Sequence, residues 1–528
     1  MEEKRIVFLP KLALQIGSEN YSVAMNLMKQ FLLTAFPILC SLISVMAAEN
    51  PNIVFIYADD LGYGDVGCYG ATKIKTPNMD KLARNGIRFT DAHSTSASCT
   101  PSRYALLTGE YPWRKKGTGI LPGDAKLIID PARPTLPATL KKAGYQTAAI
   151  GKWHLGYGAG DGPIDWNKEI KPGPGEIGFD YSFLIPATVD RVPCVYVENH
   201  RVVGLDPKDP IQVDYEKKIG DEPTGKENSE LLKMKLTHGH DSTIVNGISR
   251  IGFMSGGKAA RWIDEDIADV ITSRAVKFIE ENKSRPFFLY FATHDVHVPR
   301  TPHARFKGTS ESGLRGDVVQ EFDWSVGEIM KTLARLELVE NTLVIVTSDN
   351  GPVLDDGYAD GAIKDLNGHK PAGPLRGGKY SVYEAGTRVP FIASWPKKIK
   401  RGESAALISQ IDLFSTFAAL TKQKISTDAA PDSFDISSAL LGKSKKGREY
   451  FIEDARVQSL RQGSWKYIPG DATANDASKK RGVSKQPQLY DLSADLGETK
   501  NLAEKYPDLV KELSAKLDEM RSAKRTRP

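Results

Sequence analysis

Four largely apolar runs of residues lie along the chain, each bounded by polar residues. They occupy residues 52–58, 145–150, 287–291 and 342–347. A sheet that is exposed on one face alternates apolar and polar positions. A continuous apolar run is instead typical of a strand buried on both faces, as in a parallel sheet. The pattern therefore predicts four strands of one buried sheet.

Helical patterns separate these strands. Thr76-Pro77 predicts a helix start, because proline is favoured in the first turn, and Gly86 predicts the end of that helix. Further helices are predicted at residues 100–108, 136–143, 265–282 and 318–336. Helices alternating with buried strands are typical of a doubly wound α/β fold, here with a large mixed or parallel sheet flanked by helices.

The pattern changes at about residue 425. Short strands are predicted at 449–452, 464–468 and 488–491, followed by a long amphipathic helix at 507–522. We therefore predict a catalytic α/β domain at 50–424 and a smaller C-terminal α+β subdomain with a short antiparallel sheet at 425–528. Residues 200–260 show no clear periodicity and are interpreted as an insertion near the active site.

The N-terminus has the pattern of a targeting segment. Lys29 supplies a positive charge, residues 31–46 form an apolar run, and Ala47-Ala48 provide small residues at its end. This order predicts a secretory signal peptide at residues 25–48, and the run is too short for a stable membrane span in the mature chain. We expect export to the periplasm or cell exterior, and interpret residues 1–24 as a mis-assigned start. Cys40 leaves lipoprotein anchoring open, although Leu39 is bulky where such sites favour small residues.

Composition and charge narrow the classes of function only slightly. The chain has 528 residues, 40% hydrophobic and 26% charged, as in an ordinary globular protein. Its formal charge of +5 mildly favours an anionic substrate, and without a dense basic run it is not expected to bind nucleic acid. With Cys40 removed, three cysteines remain, which excludes a dense disulfide framework. A Cys68–Cys194 bridge and two buried free thiols both stay open.

Polar residues follow the predicted strands at the point where each strand ends. The carboxyl ends of parallel strands meet at one edge of the sheet, where ligands bind in open α/β folds. An isolated Asp-Asp pair is most often a turn or cap, but two acidic groups at equivalent positions offer three carboxylates and an amide oxygen. These hard oxygen donors suit Ca²⁺ or Mg²⁺ better than zinc. The four groups are Asp59-Asp60, Lys152 with His154, His294 with His297, and Asp349-Asn350.

Cys99 directly precedes a predicted helix, with Thr100 as its cap and Pro101 in its first turn. A helix N-terminus stabilises anions, and the guanidinium of Arg103, one turn further on, suits a tetrahedral oxyanion. A lone cysteine is most often a small buried apolar residue. The surroundings of Cys99 indicate an anion-binding role instead.

Five segments together resemble the type I, formylglycine-dependent sulfatases of the alkaline phosphatase superfamily, and among them the arylsulfatases and bacterial carbohydrate sulfatases. The resemblance covers about residues 50–525, and its motifs are highly specific. The segments are Cys99-Thr-Pro-Ser-Arg103 continuing into Leu107-Thr-Gly109, then Gly144-Tyr-Gln-Thr-Ala-Ala-Ile-Gly-Lys-Trp-His154, residues 52–60, residues 347–351 and Gly377-Gly-Lys379.

The resemblance implies hydrolysis of sulfate esters through a covalent sulfoenzyme intermediate. In this family the motif cysteine is oxidised to formylglycine by a maturation enzyme before export. Cys99 is therefore the expected modified residue, and its hydrated aldehyde the expected nucleophile. One calcium ion is implied as well. Its ligands would be Asp59, Asp60, Asp349, Asn350 and the modified Cys99.

The resemblance also implies roles for the basic side chains. Arg103 would hold the formylglycine, while Lys152 and Lys379 would bind the sulfate oxygens. His154 would act on the hydrate hydroxyl and help to expel sulfate, and His297 would protonate the leaving alcohol. Many relatives have a different residue at the position of His294, so for this residue a substrate contact, an indirect role and a structural role stay open.

Two other functions remain as alternatives. A phosphatase or phosphonate monoester hydrolase of the same superfamily usually has Ser or Thr at the motif position and two transition metals, whereas this chain offers one oxygen-rich site. A non-catalytic glycan-binding homologue would have lost catalytic positions that are intact here. The expected substrate is a sulfated carbohydrate attacked from its end, since no extended binding domain is evident, but the sequence determines neither sugar nor sulfate position. Further candidates for sugar contacts are His200, His369 and Arg261-Trp262.

Overall fold

The four apolar runs form the middle of one large sheet. A computed structural model describes residues 50–528, and residues 51–528 form one compact unit. The predicted extension at 1–24, the signal peptide at 25–48 and Cys40 lie outside the described residues. Within the described part of the chain, no helix is long and apolar enough to cross a membrane.

Most strands are short, and the longest lie at the centre of the main sheet. In chain order the strands are β1 (Asn52–Ala58), β2 (Ile87–Phe89), β3 (Ala92–His93), β4 (Gln146–Lys152), β5 (Tyr181–Ile185), β6 (Val197–Glu198), β7 (Arg201–Val202), β8 (Gln212–Asp214), β9 (Ile244–Val245), β10 (Ile248–Ser249), β11 (Phe253–Ser255), β12 (Phe287–Ala292), β13 (Thr342–Ser348), β14 (Phe391–Ser394), β15 (Gly402–Ser404), β16 (Ile408–Ser409), β17 (Tyr450–Glu453), β18 (Ser459–Gln462), β19 (Trp465–Ile468) and β20 (Gln488–Asp491). The α-helices are α1 (Pro77–Asn85), α2 (Cys99–Thr108), α3 (Leu136–Lys142), α4 (Ile267–Asn282), α5 (Gly313–Arg335), α6 (Leu413–Leu420), α7 (Ser437–Leu440), α8 (Asp476–Lys480) and α9 (Pro507–Ser522).

The main sheet is mixed and has ten strands, in the order β15-β2-β14-β13-β1-β12-β4-β5-β6-β7. Its five central strands, from β13 to β5, are parallel, while β14 and β6 run antiparallel to their neighbours. Every residue of β1, β12 and β13 is buried. Helices flank the sheet, with α4 packed on α5 and α3 packed on α6. The predicted fold class is therefore confirmed.

The parallel register brings the ends of the four predicted strands side by side. Ala58 pairs with Ser348, and Ala292 pairs with both Tyr57 and Gly151. The polar residues at the ends of these strands therefore share one edge of the sheet. This is the arrangement that the sequence pattern predicted.

Some boundaries differ from the predictions, for local reasons. Lys152 is the last residue of β4 rather than part of the loop after it. Helix α5 begins at Gly313 instead of residue 318, because glycines and charged residues in its first turn conceal the helical period. Strand β18 was missed because its sequence, Ser-Leu-Arg-Gln, has little apolar character, although three of its four residues are buried.

The C-terminal residues form a separate antiparallel sheet in the order β17-β18-β19-β20, against which α9 packs. Its apolar side chains share a cluster with Ala105 of α2 and with Tyr111. The sheet therefore supports the helix that begins at Cys99.

A buried ionic cluster also joins this sheet to the main one. The ammonium of Lys466 lies 3.1 Å from Glu384, 2.7 Å from Glu453 and 3.3 Å from Glu498, and its side chain is fully buried. Burial raises the pKa of Glu453 to about 7 against the opposing effect of Lys466. Removing one member of such a cluster would leave uncompensated buried charge.

The segment at 200–260, interpreted as an insertion, contains short paired strands. Strand β8 pairs with β11, and β9 pairs with β10. Their brevity explains why the sequence shows no strand period. The segment places His240 against Asp190, with 3.0 Å between Nε2 and Oδ2.

Candidate active site

Acidic and basic side chains from different strand ends form close pairs at the carboxyl edge of the sheet. The ammonium of Lys152 lies 2.5 Å from Asp59 Oδ2, and that of Lys379 lies 2.9 Å from Asp60 Oδ2. Arg103 donates to Asp349 Oδ2 through Nε at 2.9 Å and Nη2 at 2.6 Å. All six residues are buried, so each charge depends on its partner for compensation.

The predicted metal ligands form one group of oxygen atoms. Asn350 Nδ2 donates to Asp60 Oδ1 at 2.7 Å, and the backbone N–H of Asp60 donates to Asp349 Oδ1 at 3.3 Å. Asp59 Oδ1 and Asn350 Oδ1 are buried and have no hydrogen-bond partner among residues 50–528. A buried oxygen without a donor has lost its hydration uncompensated, and a bound cation would satisfy both atoms. The chemistry of this set therefore fits a hard divalent cation.

Burial affects the protonation of this group. It raises the pKa of Asp59 well above the ordinary value, Lys152 opposes that effect, and Asp349 adds to it. Ligand atoms of Asp59, Asp60 and His297 lie within 4.8 Å of one another. The sequence analysis assigned His297 to the substrate rather than to the metal. In the structure its imidazole lies beside two of the predicted metal ligands, Asp59 and Asp60.

Cys99 is the first residue of α2, and Ser98 is the N-cap. The predicted cap at Thr100 is therefore wrong, because its hydroxyl instead donates to the carbonyl of His154 at 3.1 Å. The thiol of Cys99 lies 3.3 Å from His154 Nδ1. Burial raises the pKa of this thiol, and Lys152 and Lys379 oppose the shift. The helix N-terminus and two ammonium groups face this position, as expected of an anion site.

His154 is held as a neutral base beside Cys99. Its Nε2 lies 2.9 Å from the carbonyl of Leu121 and must carry the proton to donate to it, which leaves Nδ1 free to accept from the thiol. Burial, with Lys152 and Arg191 adding to the effect, lowers the pKa of His154 well below its ordinary value. The residue also has a positive φ of 58°, which is uncommon for a residue other than glycine.

His297 and His294 occupy the loop after β12. His297 Nδ1 donates to the carbonyl of Val298 at 2.7 Å, so Nε2 is the atom that faces the site, 3.8 Å from Asp60 Oδ2. Burial, with a further contribution from Lys379, lowers the pKa of His297 well below its ordinary value. His294 is also buried, which with Lys152 lowers its pKa to about 3, and its Nδ1 has no partner.

Several residues near the site escaped the sequence analysis. Asp356 lies 3.1 Å from the ammonium of Lys379 and accepts from the hydroxyl of Tyr380 at 3.2 Å. Asp190 is buried between Arg191 and His240. No strand end or family motif marked these positions. The adjacency of Tyr380 to Lys379 was the only signal in the sequence.

The further candidates for sugar contacts are engaged elsewhere. His369 Nε2 pairs with Asp65 at 2.8 Å, and Arg261 pairs with Glu222 at 2.6 Å. Trp262 is 4% exposed, so the predicted aromatic platform for a sugar is wrong. His200 is partly exposed and lies 3.2 Å from Glu176.

The three cysteines of the described chain, Cys68, Cys99 and Cys194, are all free, so the Cys68–Cys194 bridge is not formed. A second group with metal-ligand types, Asp91, His93 and Glu384, lies within the ionic cluster below the site. Arg461 bonds both of its carboxylates, at 3.1 and 2.9 Å. These charges are already compensated, which argues against a second cation there.

Comparison with known proteins places this geometry in a known family. The profile of the sulfatase family matches residues 51–423. An N-acetylgalactosamine-6-O-sulfatase from Bacteroides thetaiotaomicron is 56% identical over 480 residues, which cover 90% of this chain and 94% of that protein. Human arylsulfatase A is 34% identical over 485 residues, 86% of this chain and 84% of the relative.

A solved structure from work on glycosaminoglycan metabolism by Bacteroides thetaiotaomicron superposes with a TM-score of 0.88. It is 56% identical, and the match covers 90% of this chain and all of that one. A phosphonate monoester hydrolase of Agrobacterium radiobacter, at 15% identity and a TM-score of 0.55, shares the fold alone.

The mixed sheet, with a buried cysteine, two lysines and an acidic group at one edge, defines a hydrolase of sulfuric esters with an alkaline phosphatase-like fold. The chain belongs to the sulfatase family.

Proposed function

We propose that the chain removes the 6-O-sulfate from N-acetylgalactosamine at the end of a sulfated glycan. The observation that carries the proposal is that Cys99 lies at the N-terminus of α2, where burial raises the pKa of its thiol and the nearby ammonium groups of Lys152 and Lys379 oppose that rise, which makes a buried site for a tetrahedral anion. The sugar and position follow the relative that is 56% identical over nearly its whole length.

Calcium fits the acidic group at the strand ends. Asp59, Asp60, Asp349 and Asn350 would hold the ion together with the modified Cys99. The unpartnered oxygens of Asp59 and Asn350 support this assignment. When bound, calcium would polarise the sulfate oxygens and stabilise charge on them. The formylglycine made from Cys99 would supply, as its hydrate, one hydroxyl to attack sulfur as the sugar oxygen leaves, and a second hydroxyl whose collapse to the aldehyde would release the sulfate.

The basic side chains are proposed to bind the sulfate, to position the acidic ligands and to transfer protons. Lys152 and Lys379 bind the nonbridging oxygens of sulfate, and Arg103 holds Asp349 in place through two hydrogen bonds. His154, neutral and with Nδ1 directed at position 99, accepts a proton there. His297 Nε2 gives a proton to the leaving sugar oxygen, since the negative charge of a bound sulfate ester favours its imidazolium form. The imidazole of His294 lies 3.4 Å from Asp295, and this residue is assigned only a contact with the substrate.

The proposal includes processing before the enzyme acts. The signal peptide pattern at residues 25–48 supports export to the periplasm or cell exterior. A maturation enzyme would have to oxidise Cys99 while the chain is unfolded, because the folded protein exposes only 1% of this residue.

The first prediction concerns substrate choice. Matured enzyme is expected to release sulfate from 6-O-sulfated N-acetylgalactosamine at least about tenfold faster than from the 4-O-sulfated isomer or from 6-O-sulfated N-acetylglucosamine. Discrimination of this order follows when one sugar hydroxyl or sulfate no longer reaches its polar partner. Sulfate release is measured by ion chromatography against this panel.

Two further samples make the panel decisive. An internal 6-O-sulfated residue in an intact polymer should react slowly, and equal release from internal positions would refute action at the chain end. If formylglycine is present at Cys99 by peptide mass and no sulfated sugar reacts, the substrate assignment is wrong. A panel of phosphate and phosphonate esters then tests the alternative hydrolase activity.

The second prediction concerns His297. His297→Gln is expected to lower kcat for a sulfated sugar by about 10²- to 10⁴-fold, the usual contribution of a general acid. The same variant should lose far less, about tenfold or less, with 4-nitrophenyl sulfate, because a nitrophenolate leaves without being protonated. Rates on both substrates are compared in the same preparation.

His238→Gln is the matched control, since the side chain of His238 is 62% exposed and its polar contacts among the described residues are with Asp355 and Thr237. It should keep wild-type rates with both substrates. An equal loss with sugar and aryl substrates in His297→Gln would exclude proton donation to the leaving oxygen and leave only a binding role.

A further inference from the structure

Lys379 is shared between two carboxylates, and only one of them belongs to the proposed cation set. Its ammonium lies 2.9 Å from Asp60 Oδ2 and 3.1 Å from Asp356 Oδ2. The side chain of Lys379 is 1% exposed and that of Asp356 is 21% exposed. Asp356 is therefore the more exposed of the two carboxylates that share the lysine, while the side chain of Asp60 is fully buried.

The other lysine of the site lacks such a second partner. Among the described residues, Lys152 forms ion pairs with Asp59 at 2.5 Å and with Asp349 at 3.8 Å, and both belong to the cation set. When a cation takes these oxygens, Lys152 has no other carboxylate to pair with. Lys379 does have one.

The position of Asp356 is fixed by the loop that carries it. Arg300 is buried and donates to the carbonyls of Val353 and Leu354 at 2.7 and 3.3 Å. Its guanidinium also bonds Asp360 at 2.5 Å. Because both ends of this loop are tethered, Asp356 is held close to Lys379 rather than free in solvent.

Tyr380 strengthens the same contact. Its hydroxyl donates to Asp356 Oδ2 at 3.2 Å, and its backbone N–H donates to the carbonyl of Ala97 at 2.7 Å. Burial on its own would raise the pKa of Asp356, but Lys379 and His297 bring it below the ordinary value. Asp356 is therefore a carboxylate that holds its charge beside the ammonium.

Formal charges explain why a fourth carboxylate is useful. The three carboxylates of the cation set face three cations, Arg103, Lys152 and Lys379, so the site is balanced before any metal binds. A divalent cation would leave an excess of two positive charges. Asp356 offsets one of them, and the single negative charge of a sulfate ester offsets the other.

We infer that Asp356 is a positioning residue that draws Lys379 away from Asp60, so that a divalent cation can take Asp60 while Lys379 turns to the substrate. The inference rests on the proposed function, because it presupposes a cation at this set. It assigns a task to a residue that lies outside every family motif in the sequence. It also predicts that Asp356 strengthens cation binding without touching the cation.

The test is calcium affinity, measured by isothermal titration calorimetry on the matured, metal-stripped, full-length chain. Asp356→Asn should bind calcium about tenfold more weakly than wild type, the order of effect of one partly buried charge pair. Asp355→Asn is the matched control, since it removes the same charge one residue away, where Asp355 bonds Thr237 and the backbone of Gly357 and lies 3.8 Å from the imidazole of His238. It should change the affinity by about twofold or less.

Lys379→Met separates competition from a general field effect. Without the lysine there is nothing for Asp356 to draw away, so adding Asp356→Asn to Lys379→Met should change calcium affinity by about twofold or less. An equal loss with and without the lysine would overturn the inference, as would an Asp356→Asn affinity equal to that of Asp355→Asn.

Asp356→Glu, which keeps the charge, should stay within about threefold of wild type, and this variant keeps the test open if Asp356→Asn folds poorly. Failure of the wild-type chain to bind calcium would overturn the proposed cation set together with this inference.

Discussion

Cys99→Ala is expected to lower sulfate release by at least about 10⁴-fold, because removing a nucleophile costs this much or more in enzymes that act through covalent intermediates. The buried thiol contacts His154 and starts α2, but alanine fits the first turn of a helix and leaves Arg103 and Asp349 paired. The thermal unfolding midpoint should therefore change by only about 2 °C, because the loss of one small buried group is spread over a large domain. Activity and midpoint are measured on the same preparation.

Cys68→Ser provides the matched control for a lost thiol. Cys68 is a free, half-buried cysteine, and burial raises the pKa of its thiol to about 12, so it is a poor nucleophile. The variant should keep activity within about twofold of wild type. Wild-type rates in Cys99→Ala, or a loss in Cys68→Ser as large as in Cys99→Ala, would refute the proposed role of position 99.

The central sheet could be predicted from the sequence because its strands are largely apolar runs. Burial on both faces leaves no alternation to interpret, and the ends of parallel strands must meet at one edge. The close approach of Asp59, Lys152 and Asp349 follows from those two facts and from the family motifs. The structure extends β4 to Lys152, two residues beyond the predicted end of the strand, and the ammonium of Lys152 still lies beside Asp59.

The parts that escaped prediction are positioned by tertiary contacts with no local period. Asp356 lies in a loop whose place depends on Arg300, a residue far away in the sequence. Strand β18 is polar in sequence yet buried, because Arg461 enters the ionic cluster with Glu384. Partners distant in sequence produce no pattern along a single chain, so these residues required the structure.

The carboxylates proposed to bind the cation also pair with the two lysines proposed to bind sulfate. Removal of the metal is therefore expected to affect both the cation site and the lysines. Lys152 pairs with Asp59, and Lys379 pairs with Asp60. These pairs relieve buried negative charge, but they also occupy the two ammonium groups that a sulfate ester needs. A divalent cation at the acidic group would free both lysines for the substrate.

Exhaustive chelation is accordingly expected to lower kcat/KM by about 10³-fold or more, since a Lewis acid contributes several kcal/mol to the transition state and both lysines are lost with it. Calcium should restore the rate, and its presence at about 100 times Kd should stabilise the fold by about 2.7 kcal/mol, seen as a higher unfolding midpoint. Zinc should restore less, because the set offers oxygen ligands and no thiolate once Cys99 is modified.

Asp59→Asn is the matched variant, since it keeps the shape of the site but weakens calcium binding, so that reactivation needs a higher calcium concentration. If activity persists after chelation and the unfolding midpoint does not respond to calcium, the acidic group is only an internal partner for the lysines.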